Sequence, residues 1–136
     1  MAQTCPVAAE REGVKRLVAF ALATYLLLCG AGWSSSVVVS GSMSPAVEAG
    51  DVVITSPVTG EVRAGQVVRF RAPGQPGRAI LHRVVGFDER GMLITKGDAN
   101  EVADATPVPL SAVTGVQQLR LPGLGGPALR FLRSRR

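Results

Sequence analysis

The chain has 136 residues, 46% of them apolar and only six aromatic, with a formal charge of +5. That is one domain's worth of sequence, whose core must come from Val, Leu, Ile and Ala rather than from rings. Of the thirteen Arg and two Lys, seven concentrate at the two ends (Arg11, Lys15, Arg16; Arg130, Arg133, Arg135, Arg136), beside the apolar stretches and without the repeated interleaved aromatics of a single-strand nucleic-acid binder, which favours an anionic lipid surface.

In chain order, residues 1–16 read as a polar N-terminus on the cytoplasmic side. Leu17 to Trp33 then runs without a charge, and Ser34, Ser35 and Ser36 are expected to prolong its helix, giving a membrane anchor over 17–36. Seventeen uncharged residues stand at the short end of what crosses about 30 Å of hydrocarbon. Arg11, Lys15 and Arg16 precede the stretch and Trp33 sits at the far interface, so the remainder is expected outside the cytoplasm. A cleavable signal peptide would have an apolar region of only about 7–15 residues. Cys5 and Cys29 stand before and inside this stretch, and the only histidine is His82, so neither a disulfide nor a metal site is expected.

From residue 37 to 120, short β-branched runs alternate with turn signals. Strands are predicted at Val37–Ser40, Asp51–Ser56, Gln66–Arg71, Ala79–Phe87, Met92–Lys96 and Ala112–Leu119. Breaks fall at Glu48–Gly50, Thr59-Gly60, Pro73–Gly77, Glu89–Gly91 and Gly97–Asn100. This spacing predicts a mainly β, antiparallel domain, closed on itself or folded as a small sandwich. Residues 121–136, rich in Pro, Gly and Arg, are too short to span a bilayer and suit either a membrane-surface tail or a solvated end.

Three segments carry chemistry. Ser40-Gly41-Ser42-Met43-Ser44-Pro45 follows a Val run, and a sharp turn there would present a serine beside a base and near backbone N–H donors. Ile80–Gly86 places His82 in an apolar strand, and an ordinary imidazole accepts a proton near neutral pH. Thr95–Asp104 supplies Asp98 and Asp104, either of which could orient a histidine. Each segment alone reads more simply as a loop, a structural histidine or a solvated turn.

In order and spacing, SGSMSP, GDVV at Gly50–Val53, HRVVG and TKGDAN with a further Asp resemble the type I signal peptidases, in the branch similar to the endoplasmic-reticulum enzymes. The resemblance covers the anchor and almost the whole exported domain. It implies a signal-peptidase-like β domain behind one transmembrane helix, cleaving signal-peptide-bearing preproteins as a serine endopeptidase at the outer face of the cell membrane, without a cofactor.

Residue by residue, it implies Ser42 as nucleophile and His82 as base, at a position that holds lysine in the bacterial branch. It implies Asp104 as the third catalytic member, Asp98 as a structural or secondary acid, and an oxyanion hole from the Ser42 N–H and the Ser40 hydroxyl. Met43 would line shallow pockets that take small side chains at the first and third positions before the cut. Gly65-Gln66-Val67-Val68 stands where some relatives repeat Gly-Asp-Val-Val, and no second apolar helix is legible, which leaves partner subunits open. A self-cleaving repressor would need a Ser–Lys pair using Lys96, and the anchor speaks against it. A non-catalytic subunit of the same fold, or a cell-envelope binding module, leaves the full residue set unexplained.

Overall fold

The computed structural model describes residues 6–75 and 77–127. The chain divides after Gly32 into two units, each described by itself. The first is helix α1, Pro6–Gly30. Proline suits the first helical position, where its missing N–H has no partner to lose, and Ala, Leu and Val carry the helix to Gly30. It closes with Ala31 N–H on Leu27 O and Gly32 N–H on Cys29 O, both at 3.0 Å. Side chains from Arg11 to Gly30 are exposed, Leu17, Phe20 and Leu27 among them. Those twenty residues are long and apolar enough to cross a membrane; at about 1.5 Å per residue they measure about 30 Å.

The serines do not prolong this helix. Ser34–Val37 is strand β1, paired antiparallel with β2, Ser34 opposite Thr55 and Val37 opposite Val52. The helix, expected to run on through Ser36, therefore ends at Gly30, because hydroxylated and β-branched residues satisfy their backbone better in a ladder. Cys29 is a free thiol, while Cys5 and residues 128–136, which include most of the expected surface tail, lie outside the described residues.

The second unit is one six-stranded antiparallel sheet. Its strands are β1 Ser34–Val37, β2 Val52–Ser56, β3 Val67–Arg71, β4 Ala79–Phe87, β5 Leu93–Lys96 and β6 Val113–Leu121, in the order β1-β2-β6-β3-β4-β5. The sheet is neither closed by strand pairing nor doubled into a sandwich: β1 and β5 are its edges. It is curled, however. Arg69 of β3 hydrogen-bonds Ser34 and Ser36 of β1, although those strands are three ladder spacings apart, about 14 Å if flat. Gly115 of β6 lies in this concavity, where a Cβ would stand 2.9 Å from the Thr55 side chain.

The burial pattern explains the apolar runs. Val67 and Val68 are adjacent and both buried, so they face opposite sides of a strand covered on each. Val68 joins Val62, Phe70, Val84, Leu93, Val108 and Val116 in one core. Val67 joins Met43, Val47 and Val53 in the other, under the loop between β1 and β2. That loop bears Ser42.

Candidate active site

Ser42 opens the turn between β1 and β2. Ser44 N–H donates to Gly41 O at 3.0 Å and Val47 N–H to Met43 O at 2.9 Å, and the Ser44–Pro45 peptide bond is cis. Two apolar side chains pin this turn from below, Met43 and Val47, each 1% exposed. Met43 also borders the cleft beside Ser42, yet most of its side chain belongs to the core. From behind, buried Asp51 accepts hydrogen bonds from Glu48 N–H (2.8 Å), Gly123 N–H (2.9 Å) and Arg120 Nε (2.6 Å). Arg120 Nη1 reaches Ala46 O at 2.7 Å, tying the turn to β6. Burial alone would push the Asp51 carboxyl up, but these donors together hold it below the usual carboxylate range.

His82 projects from the middle of β4, opposite Val68. Phe70 meets its ring edge-on, centroids 6.3 Å apart, and only 8% of the residue is exposed. Its two nitrogens point at two partners. Nε2 lies 3.2 Å from Ser42 Oγ and Nδ1 lies 2.7 Å from Asp104 Oδ2. A carboxylate only accepts, so Nδ1 carries the ring proton and Nε2 faces the serine hydroxyl as acceptor. Segments 40 residues apart in sequence, Ser42 and His82, are thus joined in one hydrogen-bonded line with Asp104.

Asp104 follows the loop beyond β5. Its N–H donates to Thr95 O at 2.8 Å, and Thr95 Oγ1 donates to Asp104 Oδ2 at 2.6 Å. Thr95 is fully buried, and sequence reasoning assigned it no role. The signal was there: Leu93 and Thr95 are alternate residues of β5 and both point inward, so a hydroxyl is buried where a hydrocarbon would be expected.

The other candidate acid is elsewhere. Asp98 forms a two-pronged pair with Arg83, Oδ1 to Nε at 2.8 Å and Oδ2 to Nη2 at 2.6 Å. That contact, reinforced by the charges of Arg83 and Lys96, holds its carboxyl below the usual range and the guanidinium above its own. Arg83 Nη1 also reaches Gly65 O at 2.8 Å, so the Asp98 loop is fastened through the Arg83 side chain to the turn before β3. The same loop touches the Ser42 turn, Ala99 N–H donating to Ser42 O at 2.9 Å. Contact is so close that a Cβ on Gly97 would stand 2.6 Å from Ser42 O.

Ser40 Oγ lies 3.5 Å from Ser42 Oγ. No acceptor among the described residues takes the Ser42 N–H. Both groups border a cleft of about 400 Å³ running from Ser42 and His82 between Val38–Ser40 and Ala79–Leu81. Along that wall β4 pairs with β5 only from Arg83 onward, so among the described residues the outer edge of Ala79–His82 has no strand beside it. Among the described residues no cluster of His, Cys, Asp or Glu is arranged to hold a metal ion.

A hydroxyl, an imidazole and a carboxylate lie in line at the head of a cleft with an open strand edge, an arrangement in which the imidazole can take the hydroxyl proton. The family described as signal peptidase, peptidase S26, matches residues 11–89. This chain belongs to that family. It is similar to the signal peptidase complex catalytic subunit SEC11C of Homo sapiens, 38% identical over 84 residues that make up 58% of this chain and 43% of the relative. It is also similar to the SEC11 catalytic subunit of Yarrowia lipolytica (strain CLIB 122 / E 150), 40% identical over 73 residues, 52% of this chain and 42% of the relative. Signal peptidase I W of Bacillus subtilis (strain 168) is 33% identical over 82 residues, 57% of this chain and 42% of the relative. The matched part is less than half of each of these signal peptidases.

Proposed function

We propose that the chain is a membrane-bound serine endopeptidase that removes N-terminal signal peptides from exported preproteins. The observation that carries this reading is the line Ser42–His82–Asp104, at 3.2 and 2.7 Å. Ser42 Oγ attacks the carbonyl carbon before the scissile bond as its proton passes to His82 Nε2. The imidazolium that forms is balanced by Asp104 on Nδ1. The oxyanion meets the Ser42 N–H and the Ser40 hydroxyl, each such donor worth about 3–4 kcal/mol in related chemistry. His82 then protonates the departing amine, and water enters by the same route in reverse to release the acyl group and restore the serine.

Several features support the substrate assignment. The unpaired outer edge of Ala79–His82 suits an extended polypeptide, whose backbone would continue the sheet. The cleft of about 400 Å³ has Val38, Val53 and Leu81 among its walls, which suits the small side chains that the resemblance implies near the cut. Helix α1 is the membrane anchor in this reading, its basic residues on the cytoplasmic side and the β domain outside. Ser42 stands only nine positions beyond Trp33, at most about 30 Å of chain, a short tether that suits a cleavage site emerging just past a signal peptide's own apolar stretch. Asp98 serves the site structurally, by fastening its loop to Arg83. No cofactor enters these steps, and the partners are preproteins and the bilayer; further membrane subunits would be compatible with relatives named as catalytic subunits of a complex.

The test is processing of a secretory precursor by the purified full chain in detergent, wild type beside Ser42→Ala and His82→Ala. Both substitutions should abolish product while circular dichroism stays unchanged. Undiminished processing by His82→Ala would eliminate the imidazole as base.

A further inference from the structure

Three arginines of the β domain are partly buried: Arg69, Arg83 and Arg120. Arg83 has Asp98 beside it and Arg120 has Asp51. Arg69 has only neutral acceptors. Its Nε donates to Thr114 Oγ1 at 3.1 Å, and its Nη1 to Ser34 Oγ at 3.1 Å and Ser36 Oγ at 2.7 Å. Among the described residues no carboxylate lies within ion-pair distance of it. Withdrawing a guanidinium from water while offering it hydroxyls alone leaves its charge unbalanced, which is unfavourable unless something else brings the opposite sign.

The place where that charge sits gives it a use. Arg69 faces the same cleft as Ser42 and His82, beside Ser36 and Thr55, and in the ladder it stands opposite Leu81, the residue before His82. A second cation, the exposed Arg78, borders the cleft at the start of β4. An extended peptide lying against Ala79–His82 advances about 3.3 Å per residue, so it passes this cationic floor within about four residues of the bond being cut. We propose that Arg69 is a specificity-determining residue that receives an acidic side chain, Asp or Glu, of the polypeptide substrate. The inference rests on the peptidase reading and names the chemistry that the cleft selects beyond small residues at the cut. A guanidinium already held by three hydroxyls is preorganised, so little side-chain freedom is lost when the carboxylate arrives.

The experiment is a charge scan. Peptides with one cleavage site carry Glu, Gln or Lys singly at each of the five positions on either side of the bond, and kcat/KM is measured for the full chain in detergent. At one or two adjacent positions Glu should exceed Gln by roughly ten-fold, and Lys should be poorer still, the size expected for a charged hydrogen bond. Arg69→Met should remove that preference while cutting the Gln peptide within about threefold of wild type, and Arg69→Lys should retain part of it. A wild-type enzyme indifferent to charge at every position would overturn the inference, and so would an Arg69→Met loss that is equal for Glu and Gln peptides, the mark of a mere cross-tie between β1 and β3. Binding of the same peptides to Ser42→Ala separates the two readings. An Arg69-dependent preference for Glu in binding, with no cutting by wild type, would sink the peptidase reading and keep this one, whereas cutting without preference would do the reverse.

Discussion

Thr95 and His82 share one oxygen: the threonine hydroxyl at 2.6 Å and the imidazole Nδ1 at 2.7 Å both donate to Asp104 Oδ2. The threonine is fully buried, so its hydroxyl has no water to turn to. Its hydrogen bond fixes the carboxylate rotamer, and the carboxylate in turn fixes the ring. Thr95→Val keeps the shape and removes the donor. About 1 kcal/mol of lost positioning lowers kcat roughly five- to ten-fold with KM little changed, and Thr95→Ser restores most of the rate. A Val variant that keeps full kcat would show that the carboxylate needs no such anchor.

Asp104→Asn is a harsher test of the same line. An amide at that place can donate to the ring as well as accept from it, which favours the tautomer with its proton on Nε2, facing the serine. The expected loss in kcat is about 10⁴-fold, against a much smaller loss for Asp98→Asn, because Asp98 is bonded to Arg83 and not to the imidazole. Equal losses for the two substitutions would contradict the division of roles.

His82→Lys places the lysine of the bacterial branch in this frame. The site holds an aspartate 2.7 Å from the ring nitrogen, and a carboxylate so near stabilises an ammonium ion, which cannot accept a proton from serine. The variant should be folded and turn over precursor at under about 1% of the wild-type rate. Robust processing would mean that the surroundings keep the amine neutral after all.

Gly97→Ala probes how the acid-bearing loop meets the Ser42 turn. The added Cβ would stand 2.6 Å from Ser42 O, a backbone atom that can give way only by moving the turn. A destabilisation of about 1–3 kcal/mol and a fall in kcat larger than the change in midpoint explains are expected, read by denaturant unfolding beside turnover. A neutral Gly97→Ala would refute the tight docking.

Acid should loosen the same scaffold before it touches the hydrophobic cores. Arg83 holds the Asp98 carboxyl low, and Glu48, Gly123 and Arg120 hold the Asp51 carboxyl low against its burial. In the unfolded chain both carboxyls regain the ordinary value of about 3.9. Their contribution to stability is therefore complete above that value, and it is lost as pH falls through the lower folded-state values. The urea midpoint should hold between pH 7 and pH 5 on their account and drop below about pH 4, with a smaller drop in Asp98→Asn than in wild type. An identical acid drop in the two proteins would remove Asp98 from the explanation.

Strand positions were legible in the sequence because β-branched runs and turn residues report local preference, and five of the six predicted strands match to within two residues at each end. Val37–Ser40 did not. The ladder takes Ser34–Val37 instead, since β2 offers partners to that stretch, and helix propensity beside an apolar run gave no sign of it. Ser42, His82, Asp98 and Asp104 were named from motifs whose order and spacing are specific. The resemblance favours Asp104 as the acid that meets the imidazole, while the residues by themselves leave Asp98 and Asp104 open, because both follow the same Lys-Gly pair and periodicity does not say which side of a loop faces a neighbour.

The sequence by itself determined an apolar helix, a chain of short antiparallel strands and a residue set belonging to one family, all properties encoded by neighbours a few positions apart. Only the folded chain decided that Asp104 meets His82 while Asp98 meets Arg83, that Thr95 is buried behind the acid, and that Arg69 stands in the cleft with no counter-charge among the described residues. Those facts depend on how β3, β4 and β5 are laid side by side and how the sheet curls. Strand register and curvature arise from packing between residues far apart in the chain, and no local pattern records them.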